Sequence, residues 1–118
     1  MNNSTYRFSL DLDKQDSQEY VTVRRGDTAK RLSVLITESG TPYIITDGTA
    51  AVLAARKADG SYISAACEIV DNRIEVTLPA DTFTASVGRL TACFGLSGGQ
   101  AALSSPSFTI FVDDKPTA

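Results

Sequence analysis

Asp11, Asp13 and Asp16 crowd into the run Asp11-Leu12-Asp13-Lys14-Gln15-Asp16, a spacing that could offer several oxygen ligands to a hard cation. An EF-hand loop needs a glycine at its sixth position and a bidentate glutamate at its twelfth. Asp16 and Thr22 stand at those places, so the run reads as a polar strand end and loop. Asp113-Asp114 reads the same way. Two cysteines, Cys67 and Cys93, with no histidine anywhere, cannot fill a tetrahedral site. No metal and no cofactor is expected.

Nucleophilic catalysis lacks its parts. No serine sits in a Gly-x-Ser-x-Gly elbow, and no histidine is present to activate one. Gly95-x-x-Gly98-Gly99 has no flanking helical pattern that would make it a phosphate loop. Fourteen carboxylates make some close acidic pair inevitable, so a glycosidase pair carries no specificity. The chain is not expected to be an enzyme. A net charge of −3 argues against nucleic acid as a partner, because such binding needs a basic face that releases counterions. The polar start Met1-Asn2-Asn3-Ser4 lacks a secretory core, and the longest apolar run, Ala50–Ala55, is too short to cross a bilayer. Synthesis in a cytoplasm, no membrane insertion and reduced thiols are the expectations.

What remains is a surface that binds. Tyr6, Tyr20, Tyr43 and Tyr62 could stack on sugar rings, or could pack against the core with a satisfied hydroxyl. Arg24 and Arg25 precede Gly26-Asp27 as a small basic spot in an acidic chain. Adjacent residues on a strand point to opposite faces, so at least one arginine stands outward and could grip a partner carboxylate with its planar fork. Pro42 stiffens the segment that carries Tyr43. Arginine and tyrosine are the types that anchor interfaces. Arg24, Arg25, Asp27 and Tyr43 are therefore the candidate interface residues, on one end of the fold.

The elements that would position them are strands. Tyr6, Phe8, Leu10 and Leu12 alternate with polar residues, the period of a strand with one buried face. Val21 and Val23 open a second segment, and Leu32, Val34 and Ile36 mark a third. Ala50–Lys57, Tyr62–Val70, Ile74–Leu78, Leu90–Leu96 and Phe108–Val112 follow. Gly26-Asp27, Ser39-Gly40, Asp47-Gly48, Asp59-Gly60, Asp71-Asn72 and Gly98-Gly99 fall between them, where left-handed backbone closes hairpins at little cost. Only Pro79–Ser86 lacks strand character, with room for one helical turn near Asp81–Ala85. No connection has room for a crossover helix, so antiparallel pairing is expected. The fold class is all-β: an antiparallel β-sandwich of about eight short strands, immunoglobulin-like in layout but without the disulfide and tryptophan core. The 118 residues fit one domain, with residues 1–4 and 113–118 as flexible ends. Cys67 shares the parity of Ile63 and Ile69 and faces the core, whereas Cys93 has the outward parity, so no bridge is expected.

The order of these blocks resembles a family. Tyr20-Val21-Thr22-Val23-Arg24-Arg25-Gly26-Asp27-Thr28, then Leu32–Ile36 with Gly40-Thr41-Pro42-Tyr43, then Thr46-Asp47-Gly48-Thr49-Ala50, then Ala55-Arg56-Lys57-Ala58-Asp59-Gly60-Ser61 are similar to the N-terminal domain of phage baseplate upper proteins. Ser105-Pro106-Ser107-Phe108-Thr109-Ile110 fits that domain's final strand. Ala58 departs from it, where proline is frequent. The resemblance spans Tyr6 to Val112. It implies a structural, non-catalytic role in the tail baseplate of a phage or prophage of a Gram-positive bacterium. It also implies docking onto the baseplate core, presentation of host-adhesion modules, other baseplate proteins as partners and copies arranged by virion symmetry. The virion tail is the implied location, with assembly in the bacterial host cytoplasm. A carbohydrate- or cell-wall-binding adhesin module is the alternative that the sandwich pattern and the tyrosines leave open.

Overall fold

The computed structural model describes residues 4–14, 16–26, 30–98 and 102–114. Alternation dictates the strands: β1 (Ser4–Asp11), β2 (Asp16–Arg24), β3 (Lys30–Glu38), β4 (Thr41–Pro42), β5 (Ala50–Arg56), β6 (Tyr62–Val70), β7 (Arg73–Thr77), β8 (Gly88–Ser97), β9 (Leu103–Ser104) and β10 (Ser107–Asp113). They hydrogen-bond in the order β1-β3-β7-β6-β5-β8-β10-β2, with β4 on β3 and β9 on β8. The sheet folds back on itself at β6. Tyr62–Cys67 of β6 pair with β5, and Glu68–Val70 pair with β7. One layer is therefore β1, β3, β4, β7 and the end of β6; the other is the start of β6 with β5, β8, β9, β10 and β2. The inner faces meet where the Phe8 ring lies 5.2 Å from Phe108, which stacks in turn on Phe94 at 5.5 Å.

The all-β sandwich stands, and one inference within it is corrected. Pairing is mixed: β1 runs parallel to β3, and β2 runs parallel to β10. A crossover helix is unnecessary because a strand of the opposite layer, β2, carries the chain from β1 to β3. A second correction concerns β2, which Val21 and Val23 close rather than open. Its first half, Ser17-Gln18-Glu19, is polar and held by hydrogen bonds: Ser17 Oγ donates to Ser107 O, and the Glu19 N–H donates to Ser17 Oγ. Hydropathy alternation does not see a strand paired chiefly through its main chain.

Turn chemistry acts where expected. Asp71 and Asn72 adopt φ of 51° and 64°, the left-handed pair of a two-residue hairpin joining Val70 to Arg73. Pro79–Ser86 holds one turn, closed by Phe83 N–H on Pro79 O at 2.8 Å, and no helix forms among the described residues. That turn drops Phe83 into the core, a residue the alternation overlooked. Phe8, Leu10, Leu32, Val34, Ile36, Ile74, Val76, Leu90, Phe94, Phe108 and Ile110 are buried, and Ile63 packs on the core half-buried. Ser4 and Asp113 lie within strands, and residues 1–3 and 115–118 are outside the described residues.

Both cysteines are free. Cys67 stands beside Ala51 on one flank of β5 and Cys93 beside Ala54 on the other, on opposite faces. Strands two places apart lie ~10 Å from each other, beyond the ~7 Å Cα reach of a disulfide. Burial pushes the Cys67 thiol up to about 12 and also raises Cys93. Two outcomes are expected. Thiol titration at pH 8 finds Cys67 inert in the folded chain and both thiols reactive once it is denatured. Phe94→Ala, which empties one end of the phenylalanine stack, costs about 3–5 kcal/mol in a urea titration.

Candidate docking surface

Arg24 ends β2 opposite Asp113 and is exposed. The Arg25 N–H donates to Asp113 O at 2.8 Å, and its guanidinium meets Asp114 at 2.8 Å with both side chains at least half exposed. A pair so wet contributes little to stability. Gly26, at φ 85°, sends its N–H to Thr84 O. Asp27 lies outside the described residues. Tyr43 sits elsewhere. Its N–H bonds Ile36 O, its carbonyl accepts from Asn72 Nδ2 at 2.9 Å, and its ring packs half-buried on the core.

Arg24 and Arg25 stand at the end where β3 begins, and Tyr43 stands level with Ile36 toward the end of β3. From Lys30 to Ile36 is ~20 Å along the strand. The structure does not bring the arginines and Tyr43 together.

It brings Arg24 together with residues that sequence reasoning did not select. Strand register lays out the outer face of the β6-β5-β8-β10-β2 layer in rows. Tyr62 pairs with Arg56, Arg56 with Thr91, Thr91 with Thr109, and Thr109 with Tyr20. The next row runs Arg89, Phe111, Thr22, and the last pairs Asp113 with Arg24. The Arg56 guanidinium lies 5.9 Å from the Tyr62 ring centroid, and Tyr20 stacks on Phe111 at 6.2 Å. Tyr62 is 74% exposed and Tyr20 47%. Toward the opposite end the same face carries Ala54, Val52, Ala66, Cys93 and Gly95. A hollow of about 490 Å³ opens beside Tyr20, lined by Gln18, Arg89, Thr91 and Thr109. Three arginines beside three aromatic rings are what the centre of a protein interface is made of. The signal was available: equal parity across the Asp59-Gly60 hairpin pairs Arg56 with Tyr62.

The other outer face is sealed by its own charges. Arg31 bonds Glu68 and Glu75, each at 2.9 Å, and also Thr77 Oγ1. Arg73 Nε donates to Ser33 Oγ at 2.8 Å, and Ser33 Oγ donates to Glu75 Oε2. Ser33 is fully buried beneath this network although its parity points outward. The Arg31 hydrogen bond holds the Glu75 carboxyl below the usual carboxylate range. Asp11 is also held low, first by the Asp13 N–H and then by that of Gly40, and Ser39 Oγ bonds Asp13. No group of metal-ligating side chains occurs among the described residues.

Fold and surface together define an all-β structural domain with one outer face closed by its own ion pairs and another on which arginines stand in register with aromatic rings. The model of the BppU N-terminal domain matches residues 4–117. The chain belongs to that family, and it is a structural component of a phage tail baseplate. Among solved structures it is similar to the N-terminal domain of phage TP901-1 ORF48. The TM-score is 0.65 at 14% identity, over 93% of this chain and 98% of that one. No curated protein matches.

A pH dependence follows from Glu75. Its pKa is depressed by folding, so its contribution is complete above the ordinary value of 4.5 and disappears as pH falls through the lower folded value. Urea midpoints measured between pH 6 and pH 3 should fall less steeply for Glu75→Gln than for the wild type. A residual slope should survive in the variant, since Asp11 and Asp59 are depressed in the same sense.

Proposed function

We propose that the chain docks onto the core of the baseplate and there presents host-adhesion modules, assembling in the bacterial host cytoplasm. The observation that carries this reading is the face on which Tyr62, Arg56, Arg89, Phe111, Tyr20 and Arg24 stand together, on a domain whose family is one of baseplate structure. Arg25 stands at its rim, and Asp27 follows Arg25 by two positions. Recognition is by surface complementarity: the rings supply rigid contact area, and the guanidinium forks supply directional bonds to carboxylates. Tyr43 belongs to the opposite end and holds the β4 hairpin.

The test is a pull-down, followed by titration, with the purified baseplate core protein. Arg24→Ala/Arg25→Ala and Tyr62→Ala should each weaken binding by on the order of 2 kcal/mol, roughly 30-fold, with unchanged circular dichroism. Tyr43→Ala should lower the melting temperature and leave the affinity of the folded chain alone. The hollow beside Tyr20 favours the second reading, a glycan-binding adhesin. Retention on a glycan array without binding to the core protein would decide for it.

A further inference from the structure

The sheet has two ends, β1 and β2, and they face each other without pairing. Residues 12–15 join them, and they run antiparallel across an open seam. A side-chain hydrogen bond, Tyr6 Oη donating to Glu19 Oε1 at 3.0 Å, spans it. Among the described residues no main-chain hydrogen bond joins the two strands. Between them lies a hollow of about 600 Å³, lined by Ser9, Leu10, Asp11 and Lys14 on one side and Ser17, Gln18 and Glu19 on the other.

The two edges are not alike. β2 is blunted by its register shift between Ser107 and Thr109, the kind of irregularity that keeps an edge from accepting another strand. β1 keeps an unbroken register with β3 over all eight residues and contains neither a bulge nor a proline. Its free main-chain groups can be identified. Leu12 N–H bonds Thr37 O of β3, and alternate residues of a strand aim their main-chain groups in opposite directions. The even-numbered residues of β1 therefore bond β3, and the N–H and C=O groups of Arg7 and Ser9 aim into the seam.

We infer that this seam takes up an extended segment of a partner baseplate protein, which hydrogen-bonds to Arg7 and Ser9 as an added strand and closes the sheet. This rests on the docking role proposed above and adds where the partner's main chain enters. The space selects the occupant. Because β2 bounds the far side, a single extended segment fits, whereas the edge of a second folded copy would meet Ser17, Gln18 and Glu19. From Arg7 to Asp11 is ~13 Å, the span of about five extended residues. Asp11 and Glu19 flank the hollow against one Lys14, so a lysine or arginine in the segment is favoured. Main-chain pairing supplies affinity, and alternate side chains supply register.

Proline at position 9 removes an N–H that β3 does not use, so the test is specific. Ser9→Pro should keep the wild-type circular dichroism and lose at least ten-fold in affinity for the purified baseplate core protein. Hydrogen exchange on the wild type gives a reading that does not depend on the variant folding. The Arg7 and Ser9 amides should exchange freely in the isolated chain and at least a hundred-fold more slowly in the complex. Binding that leaves these amides unprotected and tolerates Ser9→Pro would overturn the inference while sparing the docking role. Absence of binding by the wild type would overturn both. Protection that appears on concentrating the chain alone would assign the edge to a second copy and overturn the partner segment.

Discussion

Strand β6 is the constraint on which the rest of the structure depends. Its first six residues belong to one layer and its last three to the other, so the sheet bends within a single strand. Its alternation of exposed and half-buried residues reflects that position, since a strand at a fold between layers has no fully interior face. The bend lays Phe8 against Phe108, which stacks on Phe94, and it leaves the strands at the two ends of the path, β1 and β2, to meet at a seam instead of pairing.

The two outer faces solve the problem of solvent exposure differently. On the β3-β7 side, arginine and glutamate satisfy each other closely enough to bury a serine beneath them. A partner gains little from such a face, because every new bond to it displaces an existing one. The opposite face offers small residues at one end and arginines beside aromatic rings at the other. Its arginines, Arg24, Arg56 and Arg89, are exposed, and Arg56 lies over the Tyr62 ring, so a carboxylate-bearing surface can approach without first breaking a buried network.

Parallel pairing is the price of carrying consecutive strands in opposite layers. The chain passes from β1 through β2 to β3 and returns beside β1 in the same direction, and β2 and β10 meet likewise at the other end of the sheet. The arrangement leaves a hairpin, β1–β2, whose arms belong to different layers. A hairpin splayed in this way cannot satisfy its own edges, and a hollow lined mostly by polar residues opens between its arms.

Local chemistry was legible along most of the chain. The period-two runs of Phe8-Leu10, Leu32–Ile36 and Ile74-Val76 specify buried faces whatever their neighbours, because alternation leaves only one way to remove those side chains from water. Asp71-Asn72 specifies its own hairpin through left-handed backbone, and the ordered blocks around Arg24–Gly26 and Ala55–Ser61 carried the family resemblance. The polar half of β2, the descent of Phe83, the burial of Ser33 and the parallel pairs were not legible, since each depends on a residue distant in sequence. The docking residues divide along the same line. Residue type alone singled out Arg24, Arg25, Asp27 and Tyr43. Only the register of five strands set Arg24 on one face with Tyr20, Phe111, Arg89, Arg56 and Tyr62, and put Tyr43 toward the opposite end of the molecule. A strand determines which of its sides is apolar, but which neighbours complete a surface is decided by hydrogen-bond pairing between segments far apart in the chain.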